Sequence, residues 1–423
     1  MNKFIGFIIS RKDTLKRFLP MGFLKKCKRC LIQANINSYR PRPINKSIFD
    51  SMPQGVNLVG DAQIEIGLGQ SMRLIANAFS SSNQDFCIID LPIQADVRRN
   101  DHSWDEKQEK EPQYSINLFH INPQELGLAY LRLGKDLFTN RYNIGFWLWE
   151  LEDVPKESLV ALKLVDEIWT PSEFTSNSFR KYTEKPVYTI PYYVTAETDP
   201  AYDRNYFGLP EDKFLYLILF DFNSTMLRKN PECAINAYRH AFSPDDRDVG
   251  LVIKVNNPTR DCLDVLNNLL AGYDNVYYIT DTLEKKAVNS LISCVDVYVS
   301  THRAEGFGLV MAEAMLLKTA CIATNWSSNT EFMDSDTACM VPYTMVQIGK
   351  GEGSYPAGAT WADPDMEETA RYMKLLKESP DDYREMVEKA YDSVSVVLGK
   401  ERVETLLTQR ISKIYASLTG MRT

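Results

Sequence analysis

Apolar residues fall along the chain in short blocks, separated by stretches in which they recur every three or four positions. "GVNLVG" (55–60) reads as a strand and a turn, and "GLGQSMRLIANAF" (67–79) as a helix with one apolar face. "DFCIIDLP" (85–92), "YSINLFHIN" (114–122) and "YNIGFWLWEL" (142–151) read as further strands. "VPKESLVALKLVDEIWTPS" (154–172) reads as a helix running into a strand that stops at Pro171, and "PVYTIPYYV" (186–194) is the last strand-like run of this half. The polar stretch "TAETDPAYDRNYFGLPED" (195–212) reads as a linker.

The alternation then restarts. "FLYLILFDF" (214–222), "GLVIKV" (250–255), "NVYYIT" (275–280), "VDVYVST" (295–301) and "ACIAT" (320–324) are strand blocks with helices between them, the first helix being "NPECAINAYRHAF" (230–242). Unbroken apolar strands alternating with helices argue for parallel sheets covered on both faces. The expected class is α/β, with two Rossmann-like domains facing each other across a cleft. The boundaries read as a basic leader (1–45), a first domain (46–198), a second domain (199–375) and C-terminal helices (376–423) that pack back toward the first domain. "VQIGKGEGSYPAGATWADPD" (346–365) reads as a glycine-rich loop without regular structure, long enough to be functional.

A length of 423 residues fits two domains, and 44% hydrophobic with 25% charged residues is ordinary for a globular chain. The formal charge of −8 is uneven. Residues 1–30 hold nine Lys/Arg and one acid, so the remainder is strongly acidic, which argues against nucleic acid as a partner. The basic leader, interleaved with Phe4, Phe7, Ile8 and Phe18, is a candidate contact with an anionic membrane surface or else a solvated terminus. No run approaches the ~20 apolar residues of a spanning helix, and no signal-peptide cleavage site follows "FIGFIIS". The expected location is cytoplasmic, with peripheral attachment to the inner face of the plasma membrane as its variant. Eight cysteines are too few for a disulfide framework, and the single "CKRC" at Cys27 and Cys30 is a weak zinc or redox signal. The strings "DRD", "DSD" and "DPD" follow no buried strand, so no metal site is expected.

Candidate chemistry concentrates just after strands, where open parallel sheets bind ligands. In "VDVYVSTHRAEGFGLVMAEAM" a strand ends near Thr301 and a helix begins about Gly308. The free amides of that start, around Gly306, Phe307, Gly308 and Leu309, suit an anion such as a diphosphate. Glu305 would repel phosphate and instead suits sugar hydroxyls. Glu313, in an otherwise apolar helix, suits a ribose diol. "FDFNSTMLRKNP" (220–231) places the cations Arg228 and Lys229 in a strand-end loop, where they can neutralise a diphosphate. Gly67 and Gly69 open the first helix without meeting a G-x-G-x-x-G fingerprint, because Met72 holds the sixth position. Among the four histidines, His120 ends a strand and His302 follows one, beside the glutamate motif.

E-x7-E in "EGFGLVMAEAM" (305–315) resembles the retaining nucleotide-sugar glycosyltransferases of family 4, which have the GT-B fold. "GVNLVGDAQIEIGLGQSMRLIANAF", "YNIGFWLWELEDVP", "VDEIWTPSEFT", "FDFNSTMLRKNP", "STHRAEGFGLVMAEAM" and "TWADPD" resemble, in order, segments of a bacterial subgroup that builds surface polysaccharides. The resemblance covers roughly residues 53–375. It implies that the first domain takes the acceptor and the second the donor. Glu305 lies by the donor sugar, Glu313 on the ribose, and Gly306 to Leu309 around sugar and phosphate. Lys229 holds the diphosphate, Gly67 and Gly69 form a first-domain glycine loop, and His120 stands near the reaction centre. Where many members have an arginine six residues before the lysine, this chain has Asn223, with Arg228 as a candidate substitute. The implied activity is transfer, with retention and without metal or cofactor, of a hexose from a GDP-, UDP- or dTDP-sugar to a glycan or lipid-linked oligosaccharide in O-antigen, capsule or exopolysaccharide synthesis. The alternatives are a catalytically silent nucleotide-binding partner in a membrane polysaccharide complex, and another two-domain sugar-nucleotide enzyme such as an epimerase.

Overall fold

The computed structural model describes residues 32–34, 36, 39, 41, 43–92, 97–222 and 226–419. The "CKRC" pair, residues 1–30 of the basic leader and Asn223 lie outside the described residues.

The apolar blocks of the first half become the strands β1 (Val56–Gly60), β2 (Phe86–Asp90), β4 (Ile116–Phe119), β5 (Tyr142–Phe146), β6 (Glu167–Thr170) and β7 (Val187–Thr189), and the polar pair Gln108–Glu109, which the sequence did not mark, adds a short β3. They form one sheet in the order β3-β2-β1-β4-β5-β6-β7, parallel throughout. The second half repeats the plan with β8 (Phe214–Asp221), β9 (Val249–Asn256), β10 (Val276–Ile279), β11 (Val297–Ser300), β12 (Ala320–Thr324) and β13 (Cys339–Val341). Their order is β10-β9-β8-β11-β12-β13, again all parallel. Strands such as β1 and β12 are buried at every position, which is why they read as unbroken apolar runs. In the second sheet the chain order reverses between β8 and β11. The two loops that carry Arg228–Lys229 and Glu305 therefore flank the crevice at the carboxyl ends of those strands.

Four expectations need correction. The segment 154–165 is not an α-helix. It holds a 3-10 helix, Leu159–Leu164, with Ser158, Ala161 and Leu164 buried at a spacing of three that a 3.6-residue helix would rotate out of register. The stretch 346–365 is not a structureless loop. Its ends belong to β14 (Tyr343–Gln347) and β15 (Thr360–Pro364), an antiparallel hairpin anchored by buried Trp361 and Ala362. The run 186–194 pairs only over β7, and Ile190–Val194 continues as buried extended chain toward the second lobe. The reading of 375/376 as a boundary cuts the helix Met366–Glu378, which packs on Pro231–Ala241 as part of the second lobe.

After that helix the chain crosses back. Pro380–Val397 packs on the helix Leu309–Leu316 of the second lobe, and Lys400–Thr419 packs on Gly67–Ser81 of the first. Arg410 on this last helix forms a two-pronged pair with Glu167, a fully buried carboxylate on β6. Glu167 also accepts from the Tyr142 hydroxyl at 2.9 Å and the Trp169 indole N–H at 2.5 Å. Tyr415 lies 2.9 Å from Ser115 Oγ and accepts from the Gly55 amide at 2.8 Å. The last helix is thus fastened to the first lobe by polar bonds at both its middle and its end.

Candidate functional site

Backbone hydrogen bonds sew the two strand-end loops of the second lobe together. The Arg303 amide donates to the Arg228 carbonyl at 2.7 Å, and Thr301 Oγ1 donates to the Asn230 carbonyl at 2.7 Å. Asn230 adopts a left-handed conformation (φ 51°), which turns the chain between the short helix Met226–Lys229 and the helix Pro231–Ala241. Arg303 reaches back through Nε to Asp363 at 2.8 Å on β15, so the hairpin braces the same corner. The result is a fixed seat for two cations.

Glu305 occupies that seat. Its Oε1 contacts Lys229 Nζ directly and stands 3.2 Å from Arg228 Nη1, while its amide donates to Ser327 Oγ at 3.1 Å. Arg228 is itself buried and donates to the Ala304 carbonyl at 2.8 Å, so it is locked in place. Burial alone would push the Glu305 carboxyl up, but Lys229 and Arg228 together outweigh it and bring its pKa to about 2. For Arg228, burial works against the charge, and Glu305 more than offsets it, so its pKa is raised. The glutamate and the two cations read from the sequence therefore form one charged cluster.

Gly306 and Gly308 serve different ends. Gly308 caps the helix Leu309–Leu316 with φ 98°, a conformation that L side chains rarely adopt. Gly306 lies against the first lobe: a Cβ there would stand 3.5 Å from the Trp149 carbonyl and 3.6 Å from Glu150 Cγ. Phe307 between them is buried against Phe332 and, at 4.9 Å edge-on, against Tyr192. Glu313, only 1% exposed, is brought near this corner by its helix, but it is not free, because Lys285 Nζ lies 2.6 Å from its Oε1. Nothing in the sequence pointed to Lys285.

The first lobe contributes an aromatic wall. His120 follows β4, stacks on Phe146 at 5.0 Å, and lies 6.5 Å from Tyr192, the ring that meets Phe307. Neither ring nitrogen of His120 has a hydrogen-bond partner among the described residues, and burial pulls its pKa down to about 4. Neutral at ordinary pH, it offers hydrogen bonds rather than charge. His302 is buried too, but its nitrogens lie 3.0 Å from Ser300 Oγ and 3.2 Å from Asn329 Oδ1, a holding role within the second lobe. Gly69 is a packing glycine, since a Cβ there would fall 2.0 Å from the Ile64 carbonyl, whereas Gly67 at the start of that helix faces open space.

The lobes touch around this site. Glu331 of the second lobe accepts from the amides of Glu173 and Phe174, each at 2.8 Å, at the N-terminus of the first-lobe helix Glu173–Arg180. Ser172 Oγ lies 2.8 Å from Ser328 Oγ and 3.3 Å from the Gly306 carbonyl. From the hairpin, Tyr355 packs on Trp149 at 5.7 Å, and burial, together with the nearby Glu150 carboxylate, raises the pKa of its hydroxyl. Among the described residues no His, Cys, Asp and Glu cluster is arranged to hold a metal ion, and no helix is long and apolar enough to cross a membrane.

Residues 222–347, which span both loops, match the family model described as glycosyl transferases group 1. The second lobe carries a group 1 glycosyltransferase domain. No curated protein matches the chain in sequence. Among solved structures, HepE of Anabaena, crystallised with UDP-glucose, superposes with a TM-score of 0.63 at 12% identity, covering 86% of this chain and 100% of that one. A sucrose-phosphate synthase from Thermosynechococcus elongatus gives 0.63 at 13% identity, with 86% and 100% covered. A glycosyltransferase from Rickettsia africae gives 0.60 at 13% identity, with 86% and 98% covered. At such identities the likeness carries the fold, which is GT-B: two parallel-sheet Rossmann-like lobes facing across a cleft.

Proposed function

We propose that the protein is a retaining glycosyltransferase that moves a hexose from a nucleoside diphosphate sugar to a glycan acceptor. We further infer that the acceptor is lipid-linked, in bacterial O-antigen, capsule or exopolysaccharide synthesis, and that the basic leader supports work at the inner membrane surface. The observation that carries the reading is the Glu305–Lys229–Arg228 cluster at the switch point of a group 1 domain. The crystallisation of HepE, of the same fold, with UDP-glucose supports UDP as the first nucleotide to try.

In this reading Lys229 and Arg228 neutralise the diphosphate as it departs, and the amides from Gly306 to Leu309 accept its remaining charge. Glu305 takes a sugar hydroxyl. Glu313 faces the ribose, with Lys285 beside it at 2.6 Å. His120, neutral and unpartnered, orients the transferred sugar from the first lobe. The contacts of Glu331 and Ser172 across the cleft bring the lobes together, and closure excludes water that would otherwise hydrolyse the donor.

A thermal-shift screen of UDP-, GDP- and dTDP-linked hexoses tests the reading, because a ligand bound only by the folded state raises Tm. The donor that binds is then incubated with glycan acceptors and the products weighed by mass spectrometry. A donor-dependent shift, and transfer lost in Glu305→Ala, are expected. No shift with any donor, or transfer undiminished in Glu305→Ala, would refute it.

A further inference from the structure

We propose that Glu150 is a specificity residue of the donor site, a first-lobe carboxylate that acts with Glu305 to admit neutral, hydroxyl-bearing sugars and reject acidic ones. This rests on the nucleotide-sugar reading above and narrows the sugar class.

Glu150 lies in extended chain just beyond β5. Along that chain Trp147 and Trp149 are buried in the first-lobe core, while Leu148 and Glu150 alternate toward the second lobe. They end against Gly306: a Cβ on that glycine would stand 3.8 Å from Leu148 Cβ and 3.6 Å from Glu150 Cγ. Gly306 immediately follows Glu305, so two carboxylates from opposite lobes flank one glycine. Tyr355 from the hairpin stands beside the second of them, its ring packed on Trp149 and its hydroxyl close enough to the Glu150 carboxylate to feel its charge. Arg228 senses both carboxylates.

The charges then decide what fits. As the site stands, Arg228 and Lys229 both pair with Glu305, and Glu150 adds its field at Arg228. A diphosphate claims the two cations, and the two carboxylates are left needing hydrogen-bond donors where the lobes meet. The hydroxyls of a neutral hexose supply them. The carboxylate of a hexuronic acid supplies none there and adds a like charge at close range. Tyr355 acts as a positioning residue, holding Glu150 where this repulsion is felt.

The test compares donors that differ only in the sugar. Affinities of wild type, Glu150→Gln, Glu150→Asp and Tyr355→Phe are measured by calorimetry for UDP, UDP-glucose and UDP-glucuronate, and for GDP, GDP-mannose and GDP-mannuronate. Wild type is expected to bind the uronate at least about tenfold more weakly than its neutral counterpart. Glu150→Gln should bind the bare nucleotide at least as tightly as wild type and remove most of that ratio. Glu150→Asp should retain it, and Tyr355→Phe should relax it in part. A residue that only supports the fold would change Tm or all affinities together, not the ratio between two donors of one nucleotide. Equal binding of neutral and acidic donors by wild type, or an unchanged ratio in Glu150→Gln, overturns the proposal while nucleotide binding leaves the broader reading standing. Binding of none of UDP, GDP and dTDP by wild type overturns both.

Discussion

Glu305→Gln should make the protein bind free UDP more tightly while slowing transfer. In the structure Lys229 and Arg228, the cations assigned to the diphosphate, are already engaged by one oxygen of Glu305. A diphosphate must take them from that carboxylate. The strength of the existing pair can be worked from Glu305, whose pKa is about 2 against an ordinary 4.5. Each unit on that scale is ~1.4 kcal/mol, so the folded site favours the charged carboxylate by ~3 kcal/mol. The folded value lies below the ordinary one. The stabilisation is therefore complete above pH ~4.5, including pH 7, and fades as the pH falls toward 2. Glutamine keeps the shape and removes the charge, which releases the cations and abolishes the repulsion between carboxylate and phosphate. UDP affinity should rise about 10- to 100-fold, measured by isothermal titration calorimetry at pH 7.5 and physiological salt. Inorganic pyrophosphate should show the same gain, because the effect belongs to the cations and not to the base. UDP binding that is unchanged or weaker in the variant would refute the exchange of partners at Lys229.

Two further outcomes follow from packing and burial. Gly69→Ala should lower stability by ~1–3 kcal/mol, because its Cβ would strike the Ile64 carbonyl, while Gly67→Ala should change it by under ~0.5 kcal/mol; urea denaturation checks both. His120 is held neutral, at about 4 against 6.5, so the unfolded chain binds its proton first and stability falls as pH drops from 6.5 toward 4. Between pH 7.5 and 5, His120→Phe should lose ~2 kcal/mol less stability than wild type, and an equal loss in both would count against the burial argument.

Much of the fold was legible because parallel strands covered on both faces leave an apolar run that little else in a chain imitates. β1, β8 and β12 announced themselves in this way. The hairpin did not, because β14 is largely exposed and mixes polar with apolar residues, and the glycines of its connecting loop suppressed the strand signal. The segment around Leu159 failed for a different reason: its apolar residues are dense enough to read as a helix, and only which of them are buried, three apart, distinguishes the 3-10 form. At the site, E-x7-E and the Arg228–Lys229 pair stood out because charge at a strand end needs a reason. Lys285, Tyr355 and Glu150 carry no such local mark. Their roles come from contacts with Glu313, Trp149 and Gly306, which no spacing within a single segment encodes.

Glu167 and Arg410 stand 243 residues apart along the chain. At a synthesis rate of ~5–20 residues per second, the carboxylate leaves the ribosome roughly 10–50 s before its partner exists. Throughout that interval the first lobe lacks the helix that covers Gly67–Ser81 and the cation that belongs beside β6. The lobe made first is therefore completed last, after the second lobe has been synthesised, and it spends the interval with an apolar helix face and a carboxylate site open to solvent.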